Sequence, residues 1–308
     1  MPAKGRVVSA AIETSGLTKY YGDAPGIIGL DLDVQVGEVF GFLGPNGAGK
    51  STTIRTLLNF LFPTDGSGEV LGLDIVKGSM EIRRRTGYLP GDLALYDAMT
   101  AREYLIYFAN LRKVEAKADM EQLAERFDLD LDRKIKDYST GNRQKVGVVN
   151  AFMHKPELYI LDEPTAGLDP LMQQEFNELI REVKRDGATV FLSSHILPEV
   201  DRIADRVGLV RKSRLIAVDT LESFKAQAHQ AVTIQFASHV DVASFASLPS
   251  VTSAESRNDG TVVALTVKGE IDAIIKKAAS LEVVSISTRA DELEEVFLSY
   301  YSDDDDAA

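Results

Sequence analysis

Residues 44–52 read Gly44-Pro45-Asn46-Gly47-Ala48-Gly49-Lys50-Ser51-Thr52, and this stretch decides the fold. It fits G-x-x-x-x-G-K-[ST], with Gly44, Gly49, Lys50 and Ser51 in the fixed places. Phosphate oxygens need several backbone N–H donors converging on one point. Only a loop with little side-chain bulk lets the backbone wrap that closely. Lys50 adds a positive charge at the β- and γ-phosphates, and the Ser51 hydroxyl is a ligand for Mg²⁺. The flanks agree with this reading. Val39-Phe40-Gly41-Phe42-Leu43 is a short apolar run, as in a buried strand. Ile54, Leu57, Leu58 and Leu61 then recur as one face of a helix, which Phe62-Pro63 should end. Strand, glycine-rich turn and helix N-terminus together make an anion site.

Composition sets the bounds. A chain of 308 residues suggests one large domain plus a smaller one, and 44% apolar residues are ample for a core. A net charge of −13, from 34 basic and 47 acidic side chains, argues against a nucleic-acid partner. There is no cysteine, so neither a disulfide framework nor a thiolate metal site is expected. No stretch reads as a signal peptide or a membrane span. The expectation is a soluble, intracellular protein that meets any membrane through a partner.

Working outward, residues 7–14 and 30–36 read as strands, linked through Tyr20-Tyr21-Gly22-Asp23. Residues 69–76 read as a hairpin and Gly87-Tyr88-Leu89-Pro90 as a strand entering a loop. Residues 98–155 change character and read as a helical subdomain. Thr100 and Glu103 form a capping box, followed by Tyr104, Tyr107, Phe108 and Leu111 on one helix face. Further helices are expected at 117–128 and from Gly141 to Met153. The sheet resumes at Leu158-Tyr159-Ile160-Leu161. A helix at 170–185, a strand at 188–193, a short helix near 197–204 and two strands near 206–218 follow. Strands alternating with helices imply a mostly parallel sheet covered on both faces. The first, α/β domain is placed at 1–218. Residues 220–301 read as a small α+β domain of order βαββαβ, as in ferredoxin-like units, with a final helix at 291–301. Ser302 to Asp306 opens an acidic tail over 302–308 that should be disordered.

Asp162 and Glu163 end the apolar strand at 158–161. An Asp there is suited to hold Mg²⁺, and a carboxylate one residue on can orient and deprotonate a water in line with a γ-phosphate. With these residues in place the chain resembles the ATP-binding subunit of an ABC transporter, an α/β P-loop NTPase. The resemblance spans about residues 10–218. It implies that Tyr21 stacks on adenine and that Gly44 through Thr52 wrap the phosphates. It implies that Ser51 and Asp162 hold Mg²⁺, and that Lys50, Glu163 and His195 act on the γ-phosphate. Tyr138-Ser139-Thr140-Gly141-Asn142-Arg143-Gln144 matches the signature segment, so Ser139, Gly141 and Asn142 would contact ATP held by a second subunit. Gly167-Leu168-Asp169 matches the loop linking the two sites of the dimer. Taken singly, Tyr21 could be a loop aromatic, Ser139 and Asp169 helix caps, and His195 structural. Their joint order favours function.

The resemblance further implies a head-to-tail dimer around two ATP, either a homodimer or one with a paralogue. It implies a separate permease of the ABC-2 type, whose members include drug and antibiotic exporters, and a place on the cytoplasmic face of the cell membrane. Leu293-Glu294-Glu295-Val296-Phe297-Leu298 is similar to the ending of such subunits. Two departures stand out. Gly91 occupies the place of the usual Gln or Glu, and Thr140 replaces the usual Gly of the signature. The competing readings are a soluble ABC-type ATPase working on ribosomes or DNA, and a nucleotide-dependent regulatory module with weak hydrolysis.

Overall fold

The computed structural model describes residues 10–227 and 229–290. The expected closing helix at 291–301, its Leu293–Leu298 ending and the acidic tail lie outside those residues. β1 (Ala10–Tyr21) and β2 (Ala24–Gln35) form a hairpin turning at Gly22-Asp23. Both strands run longer than the sequence pattern suggests, and Tyr20 and Tyr21 finish β1 rather than link it onward. Pairing slips between Thr14 and Leu17 and again between Leu17 and Lys19, which breaks the inward–outward alternation. β3 (Val39–Leu43) is buried at every residue.

α1 (Lys50–Leu57) stops a turn earlier than expected. Asn59 takes a left-handed backbone (φ 54), and the Arg55 carbonyl accepts the N–H groups of Phe60 and Leu61. Leu61 therefore lies off the helix and Phe62 is exposed. β4 (Asp65–Val70) and β5 (Leu73–Asp74) form the expected hairpin, with Val70 opposite Leu73. α2 (Ser79–Arg85) was not foreseen. It buries one side chain, Ile82, so no periodicity announces it. β6 (Thr86–Leu89) follows.

The middle of the chain holds α3 (Ala101–Arg112), α4 (Lys117–Arg126) and α5 (Thr140–Phe152). The capping box forms: Thr100 Oγ1 accepts the Glu103 N–H at 3.2 Å, and Glu103 accepts the Thr100 N–H at 2.8 Å. The buried face of α3 differs from expectation. Ala101, Tyr104 and Leu105 are buried, whereas Tyr107 and Leu111 are 41% and 60% exposed. Apolar residues on α3 form two overlapping stripes, and packing against α5 selects the first.

β7 (Leu158–Asp162), α6 (Pro170–Arg185), β8 (Thr189–Ser194), α7 (Leu197–Asp201), β9 (Arg206–Arg211) and β10 (Arg214–Thr220) come next. They complete a six-stranded sheet, β10-β9-β3-β8-β7-β6, in which β9 through β6 run parallel. β2-β1-β4-β5 form a second, antiparallel sheet rather than joining the first. Ile12, Val34, Phe40, Phe42, Ile160 and Phe191 share one core across these strands. Fully burying a side chain of this kind contributes about 1.5–3 kcal/mol. At the carboxyl ends of the parallel strands, Leu43 pairs with Ser194 and Asp162 with Ser193. Open parallel sheets bind ligands at that end.

The chain divides into two compact units between Val218 and Asp219. The second begins with α8 (Leu221–Gln227), also unforeseen, and continues through β11 (His229–Phe236), α9 (Ala243–Ala246), β12 (Val251–Arg257), β13 (Val262–Lys268), α10 (Asp272–Ala278) and β14 (Val283–Ala290). Its strands pair antiparallel in the order β12-β13-β11-β14. Val232, Ile234, Phe245, Val263, Leu265 and Ile274 give it a core of its own.

Candidate active site

The loop between β3 and α1 is held by contacts that exclude side chains. A Cβ on Gly44 would stand 2.3 Å from the Val210 carbonyl oxygen, and one on Gly49 would stand 2.3 Å from that of Gly26. Gly49 is also at φ +105. Glycine is the residue that fits both places. Gly49 is the N-cap of α1 and offers no side chain, so the first N–H groups of the helix have no side-chain acceptor there. Lys50 is buried beneath this loop. Its Nζ donates to the carbonyls of Gly44 at 2.7 Å and Pro45 at 3.2 Å, and lies 3.5 Å from Glu163 Oε1. Burial pushes the ammonium below its ordinary value, against the pull of the Glu163 and Asp162 carboxylates.

β7 delivers the acids. Asp162 is buried, and its Oδ1 accepts the Ser193 hydroxyl at 2.5 Å. Glu163 follows with a left-handed backbone (φ 48), and its N–H is taken by both the carbonyl and the hydroxyl of Ser193, each at 3.2 Å. Glu163 Oε1 meets His195 Nδ1 at 3.1 Å. One carboxylate oxygen thus faces both the Lys50 ammonium and the His195 ring. Gly91 lies beside the same acids: a Cβ there would stand 3.4 Å from Asp162 Cγ, in ordinary contact. Burial, then the Asp162 charge, pushes the neighbouring Tyr88 phenol up to about 12.

Among the described residues no group of three or more His, Asp or Glu side chains is arranged to hold a metal ion by itself. Ser51 and Asp162 fit an ion that takes the rest of its oxygens from phosphate and water, as magnesium does. Asp162 Oδ2 takes no hydrogen bond among the described residues, since Oδ1 carries the Ser193 contact.

The remaining expected residues sit in two groups. The Tyr21 hydroxyl lies 3.3 Å from Thr52 Oγ1, its ring 48% exposed, with the Lys19 ammonium 5.8 Å from the ring centroid. Tyr21 is therefore joined to the phosphate loop. Ser139 caps α5, accepting the Asn142 N–H at 3.3 Å, and Asp169 caps α6, accepting the N–H groups of Leu171 and Met172 at 3.0 Å. A Cβ on Gly141 would stand 2.7 Å from the Gly167 carbonyl oxygen, so the start of α5 lies against the loop before α6. No hydrogen bond or ion pair among the described residues links Ser139, Gly141, Asn142 or Asp169 to Lys50, Glu163 or His195.

A family profile described as "ABC transporter" matches residues 27–166. The chain is 39% identical over 212 residues to the bacitracin transport ATP-binding protein BcrA of Bacillus licheniformis, covering 68% of this chain and 69% of that protein. It is 35% identical over 311 residues to the daunorubicin resistance ATP-binding protein DrrA3 of Streptomyces coeruleorubidus, covering 97% and 98%. The chain belongs to the ABC transporter ATP-binding family. A solved ATP-binding subunit of an ABC transporter, 32% identical, superimposes with a TM-score of 0.65 over 70% of this chain and 92% of that one. As an ABC ATPase the protein binds and hydrolyses ATP, dimerises, and works with a separate membrane permease. Among its described residues no helix is long and apolar enough to cross a membrane.

Sequence reasoning missed several residues of this ABC site. Ser193 ties Asp162 to the Glu163 backbone. Gln144 of α5 donates to the Pro164 carbonyl at 2.8 Å. Glu199 accepts from Thr165 and Ser194. The available signal was the pair of hydroxyls, Ser193-Ser194, closing a buried apolar strand directly before His195.

Proposed function

We propose that this chain powers an ABC-2 type permease exporting a drug, antibiotic or similar apolar compound. It would act on the cytoplasmic face of the cell membrane, as a homodimer or beside a paralogue. Support comes from the names of its relatives and from the site chemistry. In this reading Tyr21 stacks on the adenine, and the backbone from Gly44 to Thr52 wraps the phosphates. The Lys50 ammonium leaves the Gly44 and Pro45 carbonyls for phosphate oxygens, which compensate its burial better than neutral carbonyls do. Ser51 and Asp162 would hold Mg²⁺, which when bound would supply neutralisation of phosphate charge. Glu163 accepts a proton from the attacking water, and His195 steadies that carboxylate and reaches the γ-phosphate. Ser139, Gly141 and Asn142 of a second copy close over the same ATP, and Asp169 lies in the loop that joins the two sites. Residues 219–290 form a ferredoxin-like accessory unit that supplies no ATP ligand.

The observation that carries the reading is the convergence of Lys50 and His195 on one Glu163 carboxylate oxygen, beside a buried Asp162. The test is affinity purification from gently solubilised membranes. A permease of the ABC-2 type co-purifies if the reading holds. Recovery with ribosomes, or with a permease of another type, overturns the transport assignment.

A further inference from the structure

Two loops carry the groups expected to act on the γ-phosphate, and they are joined by a residue outside every motif above. Thr165 stands two positions past Glu163, and Ser194 stands directly before His195. Both are buried, at 6% and 3% exposure. Both hydroxyls reach one acceptor, although the Ser194 proton is shared with the Ile196 carbonyl at 3.3 Å. Glu199 Oε2 takes Thr165 Oγ1–H at 2.7 Å and Ser194 Oγ–H at 3.2 Å. Ser194 Oγ in turn accepts the Ile196 N–H at 2.9 Å, which closes the turn carrying His195. Glu199 lies in the first turn of α7, partly buried, and among the described residues no lysine, arginine or histidine pairs with it.

A partly buried carboxylate with no cation is a poor stability device, because its desolvation is offset only by hydrogen bonds. Its geometry serves placement instead. We propose that Glu199 is a positioning residue for ATP hydrolysis: it braces the loop bearing Glu163 against the turn bearing His195 and so sets the contact between them. That contact is single, 3.1 Å long and partly exposed, so it has little of its own to hold it. Ser193 anchors the Glu163 backbone from β8, and Glu199 anchors the far side of the same loop at Thr165. The inference rests on the reading of Glu163 and His195 as the acting pair.

The test uses the full-length protein and steady-state Mg-ATP turnover. Glu199→Ala should lower kcat by about tenfold to a hundredfold, the scale for small misplacements of reacting groups. The KM for ATP should stay within about threefold, because Tyr21 and the phosphate loop are untouched. Glu199→Gln keeps an oxygen that can accept both hydroxyls and should recover most of the rate. Thr165→Val deletes one hydroxyl and should lower kcat on its own, and the Glu199→Ala/Thr165→Val double variant should be no slower than Glu199→Ala alone. A wild-type kcat in Glu199→Ala or Thr165→Val overturns the proposal. So do losses that multiply in the double variant, a Gln variant as slow as Ala, or a KM that rises in step with the loss. If Glu199→Ala does not fold, Thr165→Val and Glu199→Gln still decide. Glu163→Gln is measured alongside. If it retains turnover, the reading of the pair fails. If it is inactive while Glu199→Ala is normal, the positioning role alone fails.

Discussion

Glu163 combines a left-handed backbone, a lysine ammonium at 3.5 Å and an imidazole at 3.1 Å. A non-glycine residue at positive φ is uncommon, and here its N–H is gripped twice by Ser193. Glu163→Gln keeps the shape and the His195 contact but cannot take a proton. Turnover should fall about 10²–10⁴-fold, the usual cost of losing a general base, while ATP binding is kept. Removing a negative charge beside the γ-phosphate should also let an ATP-bound dimer accumulate, read by sizing chromatography with and without Mg-ATP. Near-wild-type turnover would reject Glu163 as the base. Gly91 invites the opposite experiment. A Cβ fits beside Asp162 at 3.4 Å, and Gly91 is not at positive φ, so a side chain there is neither clashing nor strained. Gly91→Gln restores the usual family side chain and should raise Mg-dependent turnover. An unchanged rate across a magnesium titration would mean that the missing side chain does not limit hydrolysis.

At the scale of elements, the end of α5 carries an acid-sensitive point. Both ring nitrogens of His154 are buried, and burial, with the Arg112 charge second, holds its pKa down at about 4 against an ordinary 6.5. The unfolded imidazole takes its proton first as pH falls. Stability is therefore complete above about pH 6.5 and is lost progressively down to about pH 4. The loss amounts to about 3 kcal/mol, at 1.36 kcal/mol per pKa unit. Thermal midpoints measured across this range should fall in the wild type and flatten in His154→Gln. An equal slope in both would assign the acid sensitivity elsewhere. Element boundaries show why sequence pattern alone misled in places. α1 ends at a left-handed Asn59 that no apolar period announces. α2 has one buried apolar residue, and α3 offers two stripes between which only its neighbour chooses.

At the scale of the molecule, the division between Val218 and Asp219 separates two cores. Every nucleotide motif ends by His195, within the first. A protein truncated after Val218 should therefore still bind ATP, measured by titration calorimetry. Loss of binding in a truncated protein shown to be folded by circular dichroism would place a nucleotide contact in the second unit.

What the sequence by itself determined is the chemistry of the phosphate loop and its flanks. Gly44, Gly49, Lys50 and Ser51 act through spacing along a few residues, and such local patterns survive in one dimension. The same holds for the Thr100–Glu103 box and for Asp162-Glu163 at a strand end. The tertiary structure alone decided which distant groups meet. Parallel pairing of β3, β8 and β7 sets Leu43 beside Ser194 and Asp162 beside Ser193, and no period along the chain records that register. The Ser193–Asp162 bond and the Glu199 bridge depend on it, because hydrogen bonds act over about 3 Å in space whatever the separation in sequence.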